Sequence, residues 1–288
     1  KTGGLVKEEI FPHNYPHCWR TDRPIIYKAM SSWFVDVPKI RDRMVELNQD
    51  INWIPNHIKD GRFGKWLEGA REWSISRSRF WGCPIPVWRS DNPNNSELYV
   101  FGAVAELEAF FGVDVNDLHK PAIDQLTKPD PTNPAYTISR VPEVFDCWFE
   151  SGSMPFAQVH YPFENKEWFE ANFPADFIVE YEAQTRGWFY NMMVLSVGLF
   201  DAIPFKNCIC HGVVLDDKGR KLSKKLKNYV DPKELFETYG SDALRWFMLS
   251  STIMRGQELF LDAEGAFIRD AVRLYIKPLW NAYHFFCL

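Results

Sequence analysis

The sequence predicts an α/β fold with a mainly parallel sheet, followed by an all-helical region. Two apolar runs, residues 174–181 and 205–215, have the length and composition of buried strands. Between them, apolar residues recur at helical spacing from Trp188 to Leu199. A strand, a helix and a second strand in this order favour a parallel pair joined by a crossover helix. From Asp231 onward the periodicity is helical.

The part of the sequence before this unit has three sections of different character. Residues 1–60 are aromatic and punctuated by proline, which predicts short strands and turns with a helix near Pro38–Gln49. Residues 61–88 hold a helix and then an apolar-rich segment. Residues 89–140 are polar and rich in turn residues around the helical patch AVAELEAFF. We interpret this last section as an inserted α+β segment.

The helical region has a clear beginning. Asp231, Pro232 and Glu234 follow the pattern of an N-cap, a proline at the first helical position and a capping-box acid. Gly240 stands where a glycine would end that helix. The sequence starts without methionine and stops inside the amphipathic pattern LYIKPLWNAYHFFCL. We therefore expect the chain to be an excised part of a longer protein.

Composition argues against membrane and secreted proteins. Apolar residues make up 46% of the 288 positions and charged residues 25%, which is typical of a soluble globular protein with a substantial core. No apolar run reaches the roughly 18 residues that a membrane-spanning helix needs, and the sequence has no signal-peptide pattern. The six cysteines form no tight framework, which favours a reducing compartment. We expect a cytoplasmic protein without a membrane partner.

The segment DDKGRKLSKKLKNYVDP carries the strongest functional signal. Residues 218–227 include six basic side chains, although the net charge of the whole chain is −5. A lysine-rich run is often only a solvated turn. Here it follows a predicted strand and precedes a helix start, which places it at a sheet edge where α/β folds bind ligands. Lysines on a mobile loop at that edge would suit the developing negative charge of a phosphate or pyrophosphate group.

The residues KLSKK at 221–225 resemble the KMSKS signature of class I aminoacyl-tRNA synthetases. Four longer blocks together resemble isoleucyl-tRNA synthetases, and the resemblance covers essentially the whole chain. These blocks are WSISRSRFWGCPIP (73–86), VFDCWFESGSMPFAQ (144–158), FPADFIVEYEAQTRGWFY (173–190) and HGVVLDDKGRKLSKK (211–225). The resemblance implies ATP-dependent activation of L-isoleucine to isoleucyl-adenylate and transfer to tRNA(Ile), with Mg²⁺ accompanying ATP. It also implies that the sheet is the second half of a class I synthetase Rossmann-like sheet.

Two other interpretations remain open. A valyl- or leucyl-specific relative is disfavoured by the QTRGWF block at 184–189. A synthetase-derived module that binds tRNA or acts as a scaffold without catalysis is disfavoured by the nearly intact substrate motifs.

The resemblance assigns catalytic roles to the two lysines of the signature, Lys221 and Lys224. Lys224 would contact ATP and stabilise the transition state of adenylate formation. The ATP-binding set would be larger and would comprise the end of the second strand together with the basic loop: His211, Gly212, Val213, Ser223 and Lys224. The sequence departs from the signature at Leu222 and Lys225 but keeps both lysines.

The resemblance also places the amino-acid pocket. Trp148 and Trp188 would form walls around the isoleucine side chain, Glu180 would hold the ribose hydroxyls, and Gln184 would accept a hydrogen bond from the substrate amino group. Each of these residues also has an ordinary explanation, core packing for the tryptophans and a salt bridge or helix-entry charge for Glu180. Ala183 stands where bacterial relatives carry an acid, so the contact with the substrate ammonium group would be partly redistributed to other residues.

The same resemblance divides the chain into domains. Residues 1–60 would return from an editing insertion, and residues 61–230 would form the C-terminal half of the catalytic Rossmann-like domain, with the insertion at about 89–140. Residues 231–288 would be a helical junction and the start of the anticodon-binding domain. The class signature HIGH does not occur in this sequence, so we expect the chain alone to be inactive. The resemblance separately implies that the full-length enzyme is a monomer.

Two further features carry expectations about metal and tRNA. Some relatives bind structural zinc through paired cysteines, but here Cys18 is followed by Thr21 and residues 89–140 contain no cysteine. Because a tetrahedral thiolate site needs four ligands, we expect no zinc and no other metal ligands. Arg77 and Arg79 could contact tRNA phosphates or support the floor of the active site, and the sequence leaves both possibilities open. The sequence also leaves two possibilities open for the later arginines, which could contact tRNA or form a polar helix face: Arg245, Arg255, Arg269 and Arg273.

Overall fold

The computed structural model describes residues 3–4, 6–18, 21–262 and 265–288. The first helices and strands are short, and one of the helices lies within the segment predicted near Pro38–Gln49. In chain order they are β1 (Phe34–Val35), α1 (Arg41–Leu47), β2 (Asn52–Ile54), α2 (Gly64–Glu68), β3 (Trp73–Ser74) and β4 (Ser76–Arg77).

The predicted insertion is an α+β unit with its own small core. Its elements are β5 (Val87–Ser90), β6 (Leu98–Val100), α3 (Val104–Phe111), β7 (Lys128–Pro129) and β8 (Thr137–Arg140). The four strands form an antiparallel sheet in the order β6-β5-β8-β7. Trp88 is buried in this core and donates its indole N–H to the Leu126 carbonyl at 2.8 Å.

A buried carboxylate joins the loops at one end of this sheet. Asp130 accepts hydrogen bonds from the Ser90 hydroxyl at 2.5 Å, the Thr132 amide at 2.7 Å and the Asn95 side chain at 3.2 Å. Burial raises the pKa of the Asp130 carboxyl group, but these hydrogen bonds lower that pKa by more. The pKa of Asp130 is therefore well below its usual value. The carboxylate is therefore a structural acceptor, because its donors are supplied by the loops around it.

Short elements connect the insertion to the main sheet. They are β9 (Val144–Phe145), which pairs antiparallel with β4, and the helices α4 (Cys147–Gly152), α5 (Met154–Ala157) and α6 (Lys166–Asn172).

The centre of the chain is a three-stranded parallel sheet in the order β10-β11-β2. Its remaining elements are β10 (Ala175–Tyr181), α7 (Trp188–Phe200) and β11 (Phe205–His211). In the register of β10 and β11, Ala175 lies opposite Phe205 and Tyr181 lies opposite His211. The predicted strand, helix and parallel strand are therefore present in that order.

A single hydrophobic cluster covers one face of this sheet. α7 is apolar almost all round, and its residues from Phe189 to Val197 are buried. Trp53 on β2 is 1% exposed, packs against Phe63 with ring centroids 4.6 Å apart and donates its indole N–H to Asn48 at 2.9 Å. A helix buried in this way is typical of a crossover that packs onto a parallel sheet.

Two details of the predicted strands are wrong. β10 is not fully buried, because Phe177 is 60% exposed and Val179 is 44% exposed; β10 is an edge strand of the sheet as far as the described residues go. An apolar run indicates a strand but not which of its faces is covered. The run 205–215 is also two strands, because β11 ends at His211 and β12 (Val214–Asp216) follows.

The C-terminal region is helical as predicted, apart from one short strand. Its elements are α8 (Pro232–Tyr239), α9 (Ser241–Ser250), β13 (Leu259–Leu261), α10 (Ala266–Ala271) and α11 (Lys277–Cys287). Asp231 caps α8 by accepting a hydrogen bond from the Lys233 amide at 2.9 Å, and Gly240 follows its last residue with φ 83°. Among the helices of the described residues, none is long and apolar enough to cross a membrane.

The helical region is fixed to the end of β11 by backbone contacts. β13 pairs in parallel with β12, the Gly212 amide donates to the Ile253 carbonyl at 3.2 Å, and the Leu259 amide donates to the Val213 carbonyl at 2.9 Å. A Cβ atom at Gly212 would lie 1.8 Å from the Gln257 carbonyl oxygen. Only glycine permits this approach, so the junction between sheet and helices depends on Gly212.

We expect Gly212→Ala to destabilise the chain by about 1–3 kcal/mol, because the added methyl group must displace the Gln257 backbone. The measurement is urea unfolding of both proteins. Gly198→Ala is a matched control, since Gly198 is an exposed residue of α7 whose nearest neighbour to an added Cβ, in Ile40, is 3.7 Å away. That variant should be more stable by about 0.5–1 kcal/mol. Equal effects of the two variants would show that the Gln257 contact does not constrain the fold.

Candidate functional site

The candidate site begins where β10 and β11 end. Tyr181 and His211 lie opposite each other at the carboxyl ends of the two parallel strands, with ring centroids 6.4 Å apart. Glu180 precedes Tyr181 and is partly buried; its carboxylate accepts a 3.4 Å hydrogen bond from the Tyr181 amide. The ring of His211 donates from Nδ1 to the Gly212 carbonyl at 2.8 Å. Ligands of open α/β folds bind at this edge of the sheet.

Three of the predicted substrate-binding residues converge on Gly187, the residue before α7. A Cβ atom at Gly187 would lie 2.6 Å from Gln184 Oε1 and 3.3 Å from Trp148 Cη2, so the Trp148 ring lies directly over the glycine backbone. Gln184 Oε1 accepts a hydrogen bond from the Trp188 amide at 2.9 Å. Trp188 donates its indole N–H to the Ser151 carbonyl at 3.0 Å. These contacts join α4 to the start of α7. We call the surface formed by Trp148, Gln184 and Trp188 the wall around Gly187.

The two tryptophans differ in burial. Trp148 is 40% exposed, whereas Trp188 is partly buried and packs against the main hydrophobic cluster. Both indole rings are therefore held by the fold, but Trp148 presents more of its surface to solvent. Exposed aromatic surface beside a sheet edge is suited to binding an apolar ligand group.

A network that sequence reasoning missed holds the turn between β10 and α7. Arg62 donates from Nε to the Thr185 hydroxyl at 3.2 Å and contacts the Glu182 carboxylate with Nη1 at 3.2 Å. Thr185 is fully buried and donates its hydroxyl to the Glu182 carbonyl at 2.7 Å. The turn contains Gln184. Arg62 lies more than a hundred positions earlier in the sequence, and its spacing gives no sign of this contact.

The contacts of Arg77 favour support over tRNA binding. Arg77 pairs with Asp146 at 2.9 Å, and Asp146 is the buried N-cap of α4, where it accepts a hydrogen bond from the Trp148 amide at 3.4 Å. Further along α4, Glu150 accepts a hydrogen bond from the Cys83 amide at 3.1 Å. Arg77 therefore stabilises the helix that carries Trp148.

The basic loop is built around the carboxylate of Asp216, the last residue of β12. This buried side chain accepts hydrogen bonds from the amides of Lys218 at 3.0 Å and Arg220 at 2.7 Å, from Arg220 Nε at 2.8 Å and from Asn228 Nδ2 at 2.9 Å. The Asn228 hydrogen bond, with those from Arg220 and Lys218, lowers the pKa of Asp216 to about 2. Asn228 also accepts from the Ser223 amide at 3.0 Å. One carboxylate thus joins the two ends of the loop.

The lysines of the loop have different surroundings. Lys221 pairs with Leu215 through an isolated bridge, and its ammonium group lies 3.2 Å from the Tyr181 hydroxyl and 4.7 Å from the centre of the Tyr181 ring. Lys224 and Lys225 are exposed and make no hydrogen bond or ion pair within the described residues. Ser223 lies between Lys221 and Lys224, and its hydroxyl accepts a hydrogen bond from the Leu226 amide at 3.1 Å.

The predicted residues therefore form two neighbouring groups. Trp148, Gln184 and Trp188 surround Gly187, while the loop reaches the end of β10 through Lys221. Gly212 and Val213 lie at the same edge but are engaged by the segment 253–259, as described above. The absence of a side chain at Gly212 is thus explained by the Gln257 contact, and a contact with adenine would have to use its backbone.

Among residues 3–4, 6–18, 21–262 and 265–288, no group of three or more His, Cys, Asp or Glu side chains could hold a metal ion. Arg245 pairs with Asp242 at 3.3 Å and Arg273 pairs with Asp270 at 3.0 Å, each with a residue three positions earlier. These pairs favour a polar helix face at both positions.

A cleft in the insertion, lined in part by Asn95 and Ser139, includes none of the predicted site residues.

Comparison with known proteins identifies the family and the fold of the chain. The family model of class I tRNA synthetases (I, L, M and V) matches residues 9–260. The chain is 65% identical, over 99% of its length, to the isoleucine–tRNA ligases of Rickettsia peacockii (strain Rustic) and Wolbachia sp. subsp. Brugia malayi (strain TRS). It spans 26% and 25% of the length of these two relatives.

Solved structures share the fold. A LeuRS of Agrobacterium radiobacter, in a ternary complex with tRNA and LeuAMS, has a TM-score of 0.51 and 21% identity over 75% of this chain and 28% of its own. A methionyl-tRNA synthetase of Mycobacterium tuberculosis in complex with methionyl-adenylate has a TM-score of 0.56 and 18% identity, covering 90% of this chain and 40% of its own. At these identities the likeness concerns the fold alone, and the predicted fold class is confirmed.

We expect Arg62→Ala to loosen the turn that holds Gln184, because it removes the ion pair with Glu182 and the hydrogen bond with Thr185. Amide hydrogen exchange of residues 182–188 should become about 2–10-fold faster, while exchange in β11 stays unchanged. Arg71→Ala is the matched control, since Arg71 is exposed and has no ion pair or hydrogen bond within the described residues. Unchanged exchange at 182–188 in the Arg62 variant would contradict the role given to this network.

Proposed function

The chain belongs to the class I tRNA synthetases of the isoleucine, leucine, methionine and valine group, and we propose that it is the part of an isoleucine–tRNA ligase that holds half of the adenylate-forming site. The observation that carries the choice of isoleucine is the 65% identity to isoleucine–tRNA ligases over essentially the whole chain. In the complete enzyme, ATP and L-isoleucine would form isoleucyl-adenylate, which would then be transferred to tRNA(Ile). The chain by itself would be inactive.

The proposed amino-acid pocket is the wall around Gly187. The indole rings of Trp148 and Trp188 are rigid and would form a close-fitting slot for a branched aliphatic side chain. Gln184 Oε1 already accepts one hydrogen bond from the Trp188 amide. Its second lone pair would accept from the substrate ammonium group. Glu182, beside Ala183, is paired with Arg62 and so would not replace an acid at position 183.

The proposed ATP subsite is the edge formed by the ends of β10 and β11. Glu180 would accept hydrogen bonds from the ribose hydroxyls, since its carboxylate receives only the long hydrogen bond of a neighbouring amide within the described residues. His211 and the backbone of Gly212 and Val213 would face the adenine. Ser223 and Lys224 of the basic loop would face the phosphates. Mg²⁺ would enter with ATP, bound mainly by the phosphate oxygens.

Adenylate formation requires stabilisation of the negative charge that develops on the leaving pyrophosphate. An isoleucine carboxylate oxygen attacks the α-phosphorus, the bond from that phosphorus to the bridging oxygen breaks, and pyrophosphate leaves. Negative charge grows on the leaving group as this bond breaks. Lys224 is exposed and has no ion pair within the described residues, so its ammonium group is free to meet that charge. Its contribution would be larger in the transition state than in bound ATP.

A surface near α4 supports tRNA as a further substrate. Phe80 and Trp81 are 68% and 72% exposed; His119 stacks on Trp81 with ring centroids 5.6 Å apart, and the ammonium group of Lys120 lies 5.9 Å from the centre of the Phe80 ring. Arg79 is exposed beside them. Rings interleaved with basic groups are suited to single-stranded nucleic acid. We assign the tRNA contact left open by the sequence to Arg79 and not to Arg77.

This chain would contribute three regions to the complete protein. Residues 1–60 would return from an editing insertion, residues 61–230 would form the C-terminal half of the catalytic domain with its insertion, and residues 231–288 would begin the anticodon-binding region. The enzyme would act as a cytoplasmic monomer.

In the complete synthetase, we expect Lys224→Ala to lower the rate of adenylate formation by about 10²–10³, because one donor aimed at developing charge is lost. The KM values for ATP and isoleucine should change only modestly. Lys225→Ala is the matched control, with the same loss of charge one position further along, and should cost much less. The measurement is pre-steady-state formation of isoleucyl-adenylate.

Two results would contradict this assignment. Equal small effects of both variants would reduce the loop to a solvated basic turn. A loss confined to the KM for ATP would mean that Lys224 binds ground-state ATP and does not stabilise the transition state.

A further inference from the structure

One lysine of the basic loop is held by the sheet. Lys221 is exposed, yet its ammonium group contacts both the hydroxyl oxygen of Tyr181 at 3.2 Å and the face of its ring, 4.7 Å from the centroid. A hydrogen bond and a cation–π contact to the same side chain fix the ammonium group over the end of β10. Neither Lys224 nor Lys225 has such a partner within the described residues.

The backbone of the loop makes this contact specific to Lys221. The Asp216 amide donates to the Arg220 carbonyl at 2.9 Å, and Leu215 bridges to Lys221, so the turn preceding Lys221 is closed by hydrogen bonds. On the far side, Asn228 donates to the Lys221 carbonyl at 3.3 Å. The Lys221 backbone is thus fixed on both sides, and its side chain spans the gap between the loop and β10.

Resting on the proposed function, we propose that Tyr181 is a positioning residue that holds the basic loop through Lys221, while Lys224 is the lysine of the loop that meets the phosphates. Tyr181 follows Glu180, the proposed ribose ligand, on the same strand. The contact therefore sets the distance between the ribose and phosphate parts of the ATP subsite. The two signature lysines have different tasks: Lys221 acts on the loop, and Lys224 acts on the substrate.

A double-mutant cycle in the complete synthetase tests this division. Tyr181→Leu and Lys221→Ala should each lower kcat/KM for adenylate formation by about 2–10-fold, the range expected for an exposed cation–π contact and one hydrogen bond. The double variant should be no slower than the slower single variant, because both changes remove the same contact. Lys221→Arg should keep most of the activity, since arginine also stacks on an aromatic face. Lys225→Ala combined with Tyr181→Leu should show no coupling.

A second readout does not depend on catalysis. In the ATP-free enzyme, trypsin should cut the loop after Lys224 or Lys225 about 2–5-fold faster in Tyr181→Leu than in the wild type, at unchanged thermal stability. Tyr181→Phe, which keeps the ring but loses the hydroxyl, should lie between the two.

The proposal is overturned if the effects of Tyr181→Leu and Lys221→Ala multiply in the double variant. It is also overturned if Lys221→Ala is as damaging as Lys224→Ala while Tyr181→Leu is silent, since Lys221 would then contact the phosphates directly. Unchanged trypsin cleavage in Tyr181→Leu would likewise overturn it. Failure of the wild-type enzyme to form isoleucyl-adenylate would instead contradict the proposed function, and the trypsin result would stand apart from that outcome.

Discussion

The parallel register of β10 and β11 is the constraint on which the candidate site depends. Because Tyr181 lies opposite His211, both strands end at the same level and deliver their next residues to one edge. β10 continues into the turn that holds Gln184 and Gly187. β11 continues through Gly212 to β12, whose last residue, Asp216, begins the basic loop. A shift of this register by one residue would turn every side chain of one strand to the opposite face.

Two buried or half-buried charges then give this edge its shape. Asp216 is a carboxylate surrounded by four donors, two of them backbone amides, and its lowered pKa of about 2 is the consequence. Its ionised form is favoured by the fold at neutral pH, and that stabilisation is lost as the pH falls from about 4 towards 2. Arg62 does the equivalent for the turn at 182–187. In both places the segment is held by the hydrogen bonds and ion pairs of one charged side chain, whereas the core is held by many apolar contacts.

The helices and strands could largely be predicted from the sequence, but the contacts that join them could not. The crossover helix, the start of α8 after its N-cap Asp231 and the α+β content of the insertion follow from periodicity, capping residues and turn residues, which are local properties. The break at Gly212 does not, because it is caused by a backbone contact with Gln257, more than forty residues later. For the same reason the contacts of Arg62 with Thr185, and of Lys221 with Tyr181, could not be predicted. The proximity of Trp148 to Trp188 came from the resemblance and not from spacing.

The central claim is that the carboxyl edge of β10 and β11, the wall around Gly187 and the basic loop together form half of one adenylate site. The most direct test is a crystal structure of the complete synthetase with a non-hydrolysable analogue of isoleucyl-adenylate. The account predicts ribose hydroxyls at about 3 Å from the Glu180 carboxylate, with the isoleucine side chain between Trp148 and Trp188. A ribose held elsewhere, with both indole rings away from the ligand, would contradict it.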